Sequence, residues 1–266
     1  MNTDISIVIP YYESEKTITR ALVSIKDQVI AAKEIIIVND GSDIALLKER
    51  IKPFEDDLNL ILIDLVQNFG AAHARNIGIS KATGTYIAFL DADDVWHPEK
   101  LKIQYDFMRD SGAYLTCHHY AFNLNVKPMQ QSNGSLKVRR LSKTLYALKT
   151  QTFTPTVMVL NQNFVRFDTR LSRSEDLKCW ISNLDNGAAF LLKSELAGGY
   201  KSPVGESGLS GSYQLMHNEY LHAWRLLLNE QKVNLIQYLI AVAIEHLKYP
   251  LRILRINKAK IVKPIQ

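Results

Sequence analysis

The feature that most constrains this chain is an alternation, in its N-terminal third, of short apolar runs with segments of helical periodicity. Asp4–Pro10 (DISIVIP) is a β-branched run closed by proline; Lys33–Asn39 (KEIIIVN), Leu58–Leu65 (LNLILIDL) and Thr85–Leu90 (TYIAFL) repeat the pattern. Nearly unbroken apolarity predicts strands buried on both faces, and therefore a parallel sheet covered by helices on both sides. Between the strands, a helix from Ser14, whose hydroxyl can cap it, to about Val29 places Ile18, Leu22 and Ile25 on one face. A second helix follows Asp40-Gly41-Ser42, and Ala71–Lys81 predicts a third, with Gly84 as its C-terminal stop. Ligands of such sheets collect at the carboxyl ends of the strands. Those ends carry Pro10-Tyr11-Tyr12-Glu13, Asn39-Asp40-Gly41-Ser42 and Asp91-Ala92-Asp93-Asp94.

The second half is less regular. Strands are expected at Ala113–Phe122, Thr156–Leu160 and near Ala189–Lys193, a basic loop or helix near Lys137–Lys149, and a helix at Ser174–Leu184. The glycine- and serine-rich stretch Gly198–Gly211 reads as a loop, either a lid over a ligand or a linker, and from His217 onward the pattern is helical. The expected organisation is an α/β domain over 1–210, with a nucleotide-binding half to about 110 and an acceptor half from 111 to 210. A basic helical extension follows over 211–266.

The 266 residues are 47% hydrophobic and 22% charged, an ordinary globular balance with enough chain to bury a large core. Cys117 and Cys179 lack the number for a disulfide framework and the spacing for a zinc site, and read as reduced thiols. His118 and His119 are adjacent, so on a strand they point to opposite faces and do not make a zinc pair. The N-terminus shows no secretory pattern, and Leu235–Ile244, the longest apolar stretch, is too short to span a bilayer. A cytoplasmic protein is expected. The basic tail, with Lys248, Arg252, Arg255, Lys258, Lys260 and Lys263, leaves open a contact with an anionic membrane surface; nucleic acid has no other support.

Two phosphate-binding devices are missing. There is no Gly-x-Gly-x-x-Gly after the first strand and no Gly-x-x-x-x-Gly-Lys-Ser/Thr loop, and the first glycine of the chain is Gly41. Asp91, Asp93 and Asp94 offer another means, since carboxylates crowded at a strand end are relieved by a cation, and Mg²⁺ or Mn²⁺ bridges carboxylates to phosphates. Taken alone, the triplet reads equally well as a solvated acidic turn before the helix near His97-Pro98. The apolar run Tyr86-Ile87-Ala88-Phe89-Leu90 aims it at the ligand-binding edge.

In this order and spacing, Ser6–Tyr12 (SIVIPYY), Ile37–Ser42 (IVNDGS), Gly70–Gly78 (GAAHARNIG), Tyr86–Leu101 (YIAFLDADDVWHPEKL) and Ser174–Trp180 (SEDLKCW) resemble the family 2 glycosyltransferases of the GT-A fold. Leu196–Ser210 extends the likeness more weakly, so that it covers roughly residues 1–210. The resemblance implies a mostly parallel, Rossmann-like sheet flanked by helices. It also implies a hexosyl- or N-acetylhexosaminyl-transferase of the kind that builds bacterial surface polysaccharides. Pro10, Tyr11 and Glu13 would border the nucleotide, and Asp40 would bond the nucleobase. Asp91 would face ribose or metal-bound water, and Asp93 would ligate Mn²⁺ or Mg²⁺. Arg75 and Asn76 would approach the phosphates or sugar, although Arg75 reads also as a surface ion-pair residue. Asp176 would be the catalytic base, with Asp168 its rival, and Glu175, His118 and His119 would face the acceptor. Lys201 stands where relatives often carry arginine, and Asn39 where many carry a first aspartate. Trp96 reads as packing.

The absence of a Gln-x-x-Arg-Trp motif points away from a processive synthase and toward transfer of single sugars from a nucleotide-diphosphate sugar, UDP-linked by preference. The acceptor would be a glycan or a lipid-linked glycan at the inner membrane face. Two alternatives are a sugar-phosphate nucleotidyltransferase, which would need a glycine-rich loop at Tyr11–Lys16, and an inactive nucleotide-sugar-binding assembly protein. Joint retention of Asp40, Asp91, Asp93 and Asp176 speaks against the second.

Overall fold

The computed structural model describes residues 3–122, 136–150, 152–199 and 213–262. Strands β1 (Ile5–Tyr11), β2 (Glu34–Asp40), β3 (Leu60–Leu65) and β4 (Tyr86–Phe89) lie in the order β3-β2-β1-β4 and are mutually parallel. Their crossovers are α1 (Ile18–Lys26), α2 (Ile44–Ile51) and α3 (Ala71–Lys81). Every residue of β2 is buried, as its apolar run requires of a strand covered on both faces.

Helix α3 has the expected bounds, but two end signals were misread. The Ser14 hydroxyl donates to the Tyr12 carbonyl instead of capping α1, whose first N–H groups go to the Ser14 carbonyl. Gly84 does not stop α3, which ends at an extended Ala82. A Cβ on Gly84 would lie 2.7 Å from the Ser6 nitrogen, so glycine is required there by the close passage of the chain along β1.

Beyond β4 the sheet becomes mixed, a departure from the mostly parallel expectation. The later elements are β5 (Asp94–Trp96), α4 (Lys100–Ser111), β6 (Leu115–Phe122), β7 (Val138–Arg140), α5 (Lys143–Leu148), β8 (Met158–Leu160), α6 (Glu175–Asn183) and β9 (Ala189–Gly199). The order continues β4-β8-β6-β9-β5, with β7 also on β9. Strand β8 is antiparallel to both β4 and β6, and β9 is parallel to β6 but antiparallel to β5 and β7. The end of β9 outlasts its apolar run because Ala197–Gly199 is paired on both sides, with Trp96–Asp94 and with Tyr120–Phe122.

Helices α7 (Tyr213–Asn229) and α8 (Leu235–Val262) complete the chain. Trp224, Leu227 and Ala241 share one buried cluster with Phe89, Leu177 and Trp180, so these helices cover the same core as β4 and α6. Among the described residues, no helix is long and apolar enough to cross a membrane.

Candidate functional site

The acidic segment leaves the end of β4 and turns directly into β5, so its three aspartates have different surroundings. Asp91 and Asp93 are partly exposed, whereas Asp94 is buried. The Asp94 Oδ1 accepts the Tyr120 hydroxyl at 2.7 Å. A Cβ on Gly199 would come within 2.4 Å of that oxygen, so the glycine makes room for the contact. Burial, and then the Asp91 charge, push the Asp94 carboxyl up to about 7. The backbone of Asp93 is held through its carbonyl by Arg20 at 2.6 Å.

Arg75, on α3, is buried and joins two parts of the site. Its Nη2 donates to Asp91 Oδ1 at 2.8 Å and its Nη1 to Glu175 Oε1 at 2.9 Å, while the guanidinium lies 5.3 Å from the Phe167 ring centre. Burial opposes the charge, but Asp91 and Glu175 outweigh it and hold the group protonated. Neither the phosphate contact nor the surface ion pair expected of Arg75 describes this; it is a buried bridge. Glu175, expected toward an acceptor, is buried and has one carboxylate oxygen engaged by this bridge. Asn76, expected near the donor, clasps the Phe167 backbone instead, donating to its carbonyl at 2.8 Å and accepting its N–H at 2.9 Å.

The bridge sets the first turn of α6, and with it Asp176, beside the acidic segment. Asp176 Oδ1 accepts the Leu177 N–H at 2.7 Å. Burial, then the Glu175 charge, push its carboxyl up to about 7, against the opposing pull of Arg75. A carboxylate with that affinity for protons suits general-base work near neutral pH. Ser174, just before α6, has φ +60°, a left-handed conformation costly for a residue with a side chain and of a kind that gathers at functional sites. Asp168, the rival base, is held by Arg170, with Lys178 at 3.0 Å, and these contacts bring it well below the ordinary carboxylate range. A carboxylate so stabilised is a poor proton acceptor.

On the nucleotide side, Asp40 has both oxygens engaged. Oδ1 accepts the Phe69 N–H and Oδ2 the Gly70 N–H, each at 2.8 Å, so its observed work is to fix the turn into α3. Tyr11 is fully buried beneath α1 and borders no open surface, a correction to its expected role; Tyr12 beside it is 44% exposed. Strand alternation cannot separate the two when both faces of β1 are covered. Pro10 is partly buried, and Glu13 is exposed at φ +44° with its N–H on Ser42 Oγ at 2.8 Å. Asn39 donates to Asp64 Oδ1, across the β2–β3 pair, at 2.7 Å. A neutral amide thus stands where a second carboxylate would repel Asp64, a pairing invisible before strand register is known.

His118 is a second correction. It is buried in the sheet, its Nδ1 lies 2.9 Å from the His119 carbonyl oxygen, and burial pushes it down to about 3, which leaves it neutral. His119 is exposed on the other face. Trp96 packs as expected, with Nε1 donating to the Pro155 carbonyl at 2.8 Å. Lys201 and the loop over 202–211 lie outside the described residues, as does Lys263.

Among the described residues no three His, Cys, Asp or Glu side chains are grouped to hold a metal unaided. The clustering of Asp91, Asp93 and Asp94 at one strand end, with Asp91 and Asp93 partly exposed, nonetheless fits a hard cation shared with phosphate oxygens.

The chain is 36% identical over 105 residues to the Escherichia coli UDP-Glc:alpha-D-GlcNAc-diphosphoundecaprenol beta-1,3-glucosyltransferase WfgD, covering 39% of this chain and 40% of that protein. Three further curated relatives are matched over at most 47% of their own length. In fold it is similar to Staphylococcus aureus TarS 1-349 in complex with UDP-GlcNAc, with TM-score 0.68 and 20% identity over 92% of this chain and 72% of that one. It is likewise similar to the Pyrobaculum calidifontis mannosyltransferase PcManGT in complex with GDP-Man and Mn²⁺, with TM-score 0.69 and 15% identity over 100% of this chain and 77% of that one. The model of the family described as Glycosyl transferase family 2 matches residues 6–167, more than half of the sequence, and the chain belongs to that family.

Proposed function

We propose that this protein is an inverting, metal-dependent glycosyltransferase. It moves one sugar from a UDP-sugar to a hydroxyl of a glycan or lipid-linked acceptor in the synthesis of a bacterial surface polysaccharide. The observation that carries this reading is the Arg75 bridge, which locks the strand end bearing Asp91 and Asp93 against the helix bearing Asp176. Donor grip and base are thus held in one frame, and fixed positions are what lower the barrier to group transfer.

In this mechanism the acceptor oxygen attacks the anomeric carbon on the face opposite the diphosphate, and its proton passes to Asp176. The bond from that carbon to the diphosphate oxygen breaks, and its electron pair leaves with UDP. Asp93, with Asp91 behind it, would hold Mn²⁺ or Mg²⁺; when bound, such an ion neutralises charge gathering on the departing diphosphate. Pro10 and Glu13 are assigned to the nucleotide, Asp40 acts through the turn it fixes, and Lys201 is assigned to phosphate. Arg75 and Glu175 position the neighbours they touch.

The donor named for WfgD and the ligand in the TarS structure support UDP, the GDP-Man in the PcManGT structure makes a guanine nucleotide the rival donor, and the Mn²⁺ in that structure supports a metal. WfgD also names a diphosphoundecaprenol acceptor, which favours a lipid-linked one here. A membrane-facing position is supported by Leu235, Leu239, Leu247 and Leu251, each more than half exposed and spaced by multiples of four along α8. Of these, Leu239, Leu247 and Leu251 fall within about 120° of the helix circumference and form an apolar stripe of about 18 Å, beside Lys248 and Arg252. Trp224 and Leu227, apolar in sequence, belong to the core and not to this stripe.

Titration calorimetry with UDP tests the donor assignment. UDP is expected to bind in Mn²⁺ and to weaken by about tenfold or more in EDTA or in Asp93→Asn. Binding indifferent to metal removes the role given to Asp93.

A further inference from the structure

Three aromatic side chains near the acidic segment have no part in the scheme above. Tyr120 is stacked on Phe153, ring centres 4.9 Å apart at 30°, and Phe122 stands edge-on to Tyr120 at 5.2 Å. Phe122 is also edge-on to Phe153, at 6.4 Å and 87°. Phe122 and Phe153 are each 48% exposed. A packed aromatic trio that keeps this much ring open to solvent is an apolar surface available to a ligand.

The trio is tied to both halves of the reaction site. On one side the Tyr120 hydroxyl donates to Asp94, three residues after Asp91, in the space that Gly199 leaves open. On the other, Thr152, next to Phe153, accepts the Tyr146 hydroxyl on its Oγ1 at 3.2 Å. Tyr146 lies within the electrostatic reach of Asp176: burial first, then neighbours that include Asp176, keep its hydroxyl well above the ordinary tyrosine value. The open rings therefore adjoin the acidic segment through Tyr120, on β6 and the 3₁₀ turn Thr154–Thr156, and connect toward the α6 side through the buried Thr152–Tyr146 contact.

We propose that the open faces of Phe122 and Phe153, braced by Tyr120, form an acceptor subsite that stacks against a pyranose ring. This rests on the transferase reading above. A sugar ring has one face of C–H groups and a rim of hydroxyls; the C–H face meets the electron-rich face of an aromatic ring. The surroundings match both parts, since the Tyr120–Asp94 contact sets the aromatic surface beside the acidic segment, whose Asp91 and Asp93 carboxylates are partly exposed. A lipid chain would call for an apolar boundary instead. The subsite takes over the place assigned to His118, which is buried, and it would hold the acceptor ring while a hydroxyl reaches Asp176.

Saturation-transfer NMR with the full chain, Mg²⁺ and UDP tests it, using the methyl glycosides of glucose, galactose and N-acetylglucosamine as probes. Saturation is expected at the ring C–H protons of at least one probe. Phe122→Leu/Phe153→Leu, which keeps apolar bulk but removes the rings, should weaken that probe about tenfold. Phe153→Trp should retain it, and UDP affinity by calorimetry should be unchanged in both variants. Three outcomes overturn the proposal: no transfer to any probe in the wild type, equal transfer in the leucine variant, or sugar and UDP binding lost together in both variants. If the wild type binds a probe but not UDP, the donor assignment fails and the subsite stands.

Discussion

Replacing Arg75 by methionine keeps a long, flexible side chain and removes the charge together with its two hydrogen bonds, so it isolates the bridge between Asp91 and Glu175. Removing one partner of a buried ion pair costs roughly 3–5 kcal/mol, because the other is left charged and unpaired. The Glu175 side chain is 11% exposed and suffers this fully, but the Asp91 side chain is 29% exposed and can be hydrated in part. The lower end, about 3 kcal/mol, is therefore the expected loss near neutral pH. For a chain of this size it corresponds to a fall in Tm of about 6–12 °C.

The loss has a defined pH dependence. Arg75 pulls the raised carboxyls of Asp94 and Asp176 downward, so without the guanidinium both hold protons still more tightly when folded than when unfolded. Such groups add stability below the ordinary carboxylate range and forfeit it as pH rises through the raised folded values. The penalty must therefore be smaller at about pH 5 than at about pH 7.5. Arg75 also pulls the Asp176 carboxyl downward, so its loss should shift the acidic limb of the activity profile to higher pH. Thermal denaturation at both pH values, with UDP release followed across the same range, reads both effects. A Tm unchanged within about 2 °C near neutral pH, or a loss identical at both, would refute the bridge as a stabilising contact.

Two other changes test separate parts of the account. Asn39→Asp sets a carboxylate against Asp64 and should cost about 1–2 kcal/mol in urea denaturation near neutral pH, with recovery in the Asn39→Asp/Asp64→Asn double variant; no recovery means the two do not interact. Leu239→Ser/Leu247→Ser/Leu251→Ser should lose flotation with phosphatidylglycerol vesicles that the wild type shows in low salt, while keeping UDP affinity. Equal flotation of both proteins removes the membrane role of α8.

The parallel half of the sheet was legible because each of its strands is a local apolar run and each crossover a local helix; α3 over Ala71–Lys81 is the clearest case. The mixed half was not, because its order depends on distant pairings. Strand β5 is three residues long and exists through Gly199, Gly198 and Ala197, over a hundred positions away. The same limit governs the site. The Asp91-Ala92-Asp93 segment was legible as carboxylates after a buried strand, and Glu175-Asp176 as acids in a first helical turn. That Arg75 would join them, that Asp40 would fix Phe69 and Gly70, and that Asp64 would complement Asn39 all rest on tertiary contacts. Tyr11 went astray because β1 is covered on both sides, so polarity does not say which residue meets the ligand; His118 went astray because only the tertiary structure shows which of two adjacent histidines on β6 is buried. Tyr120 and Phe153 could be associated only once β6 and the turn before β8 were set side by side.

The central claim is that Asp176 takes a proton while sugar leaves a UDP donor gripped at Asp91 and Asp93. The direct measurement is UDP release from a panel of UDP-sugars in Mn²⁺, with an undecaprenyl-diphosphate-linked N-acetylglucosamine acceptor, for wild type and Asp176→Asn. The account predicts acceptor-dependent release by the wild type and a loss of about a hundredfold or more in the variant, with UDP affinity retained. Release by the variant at the wild-type rate would contradict it.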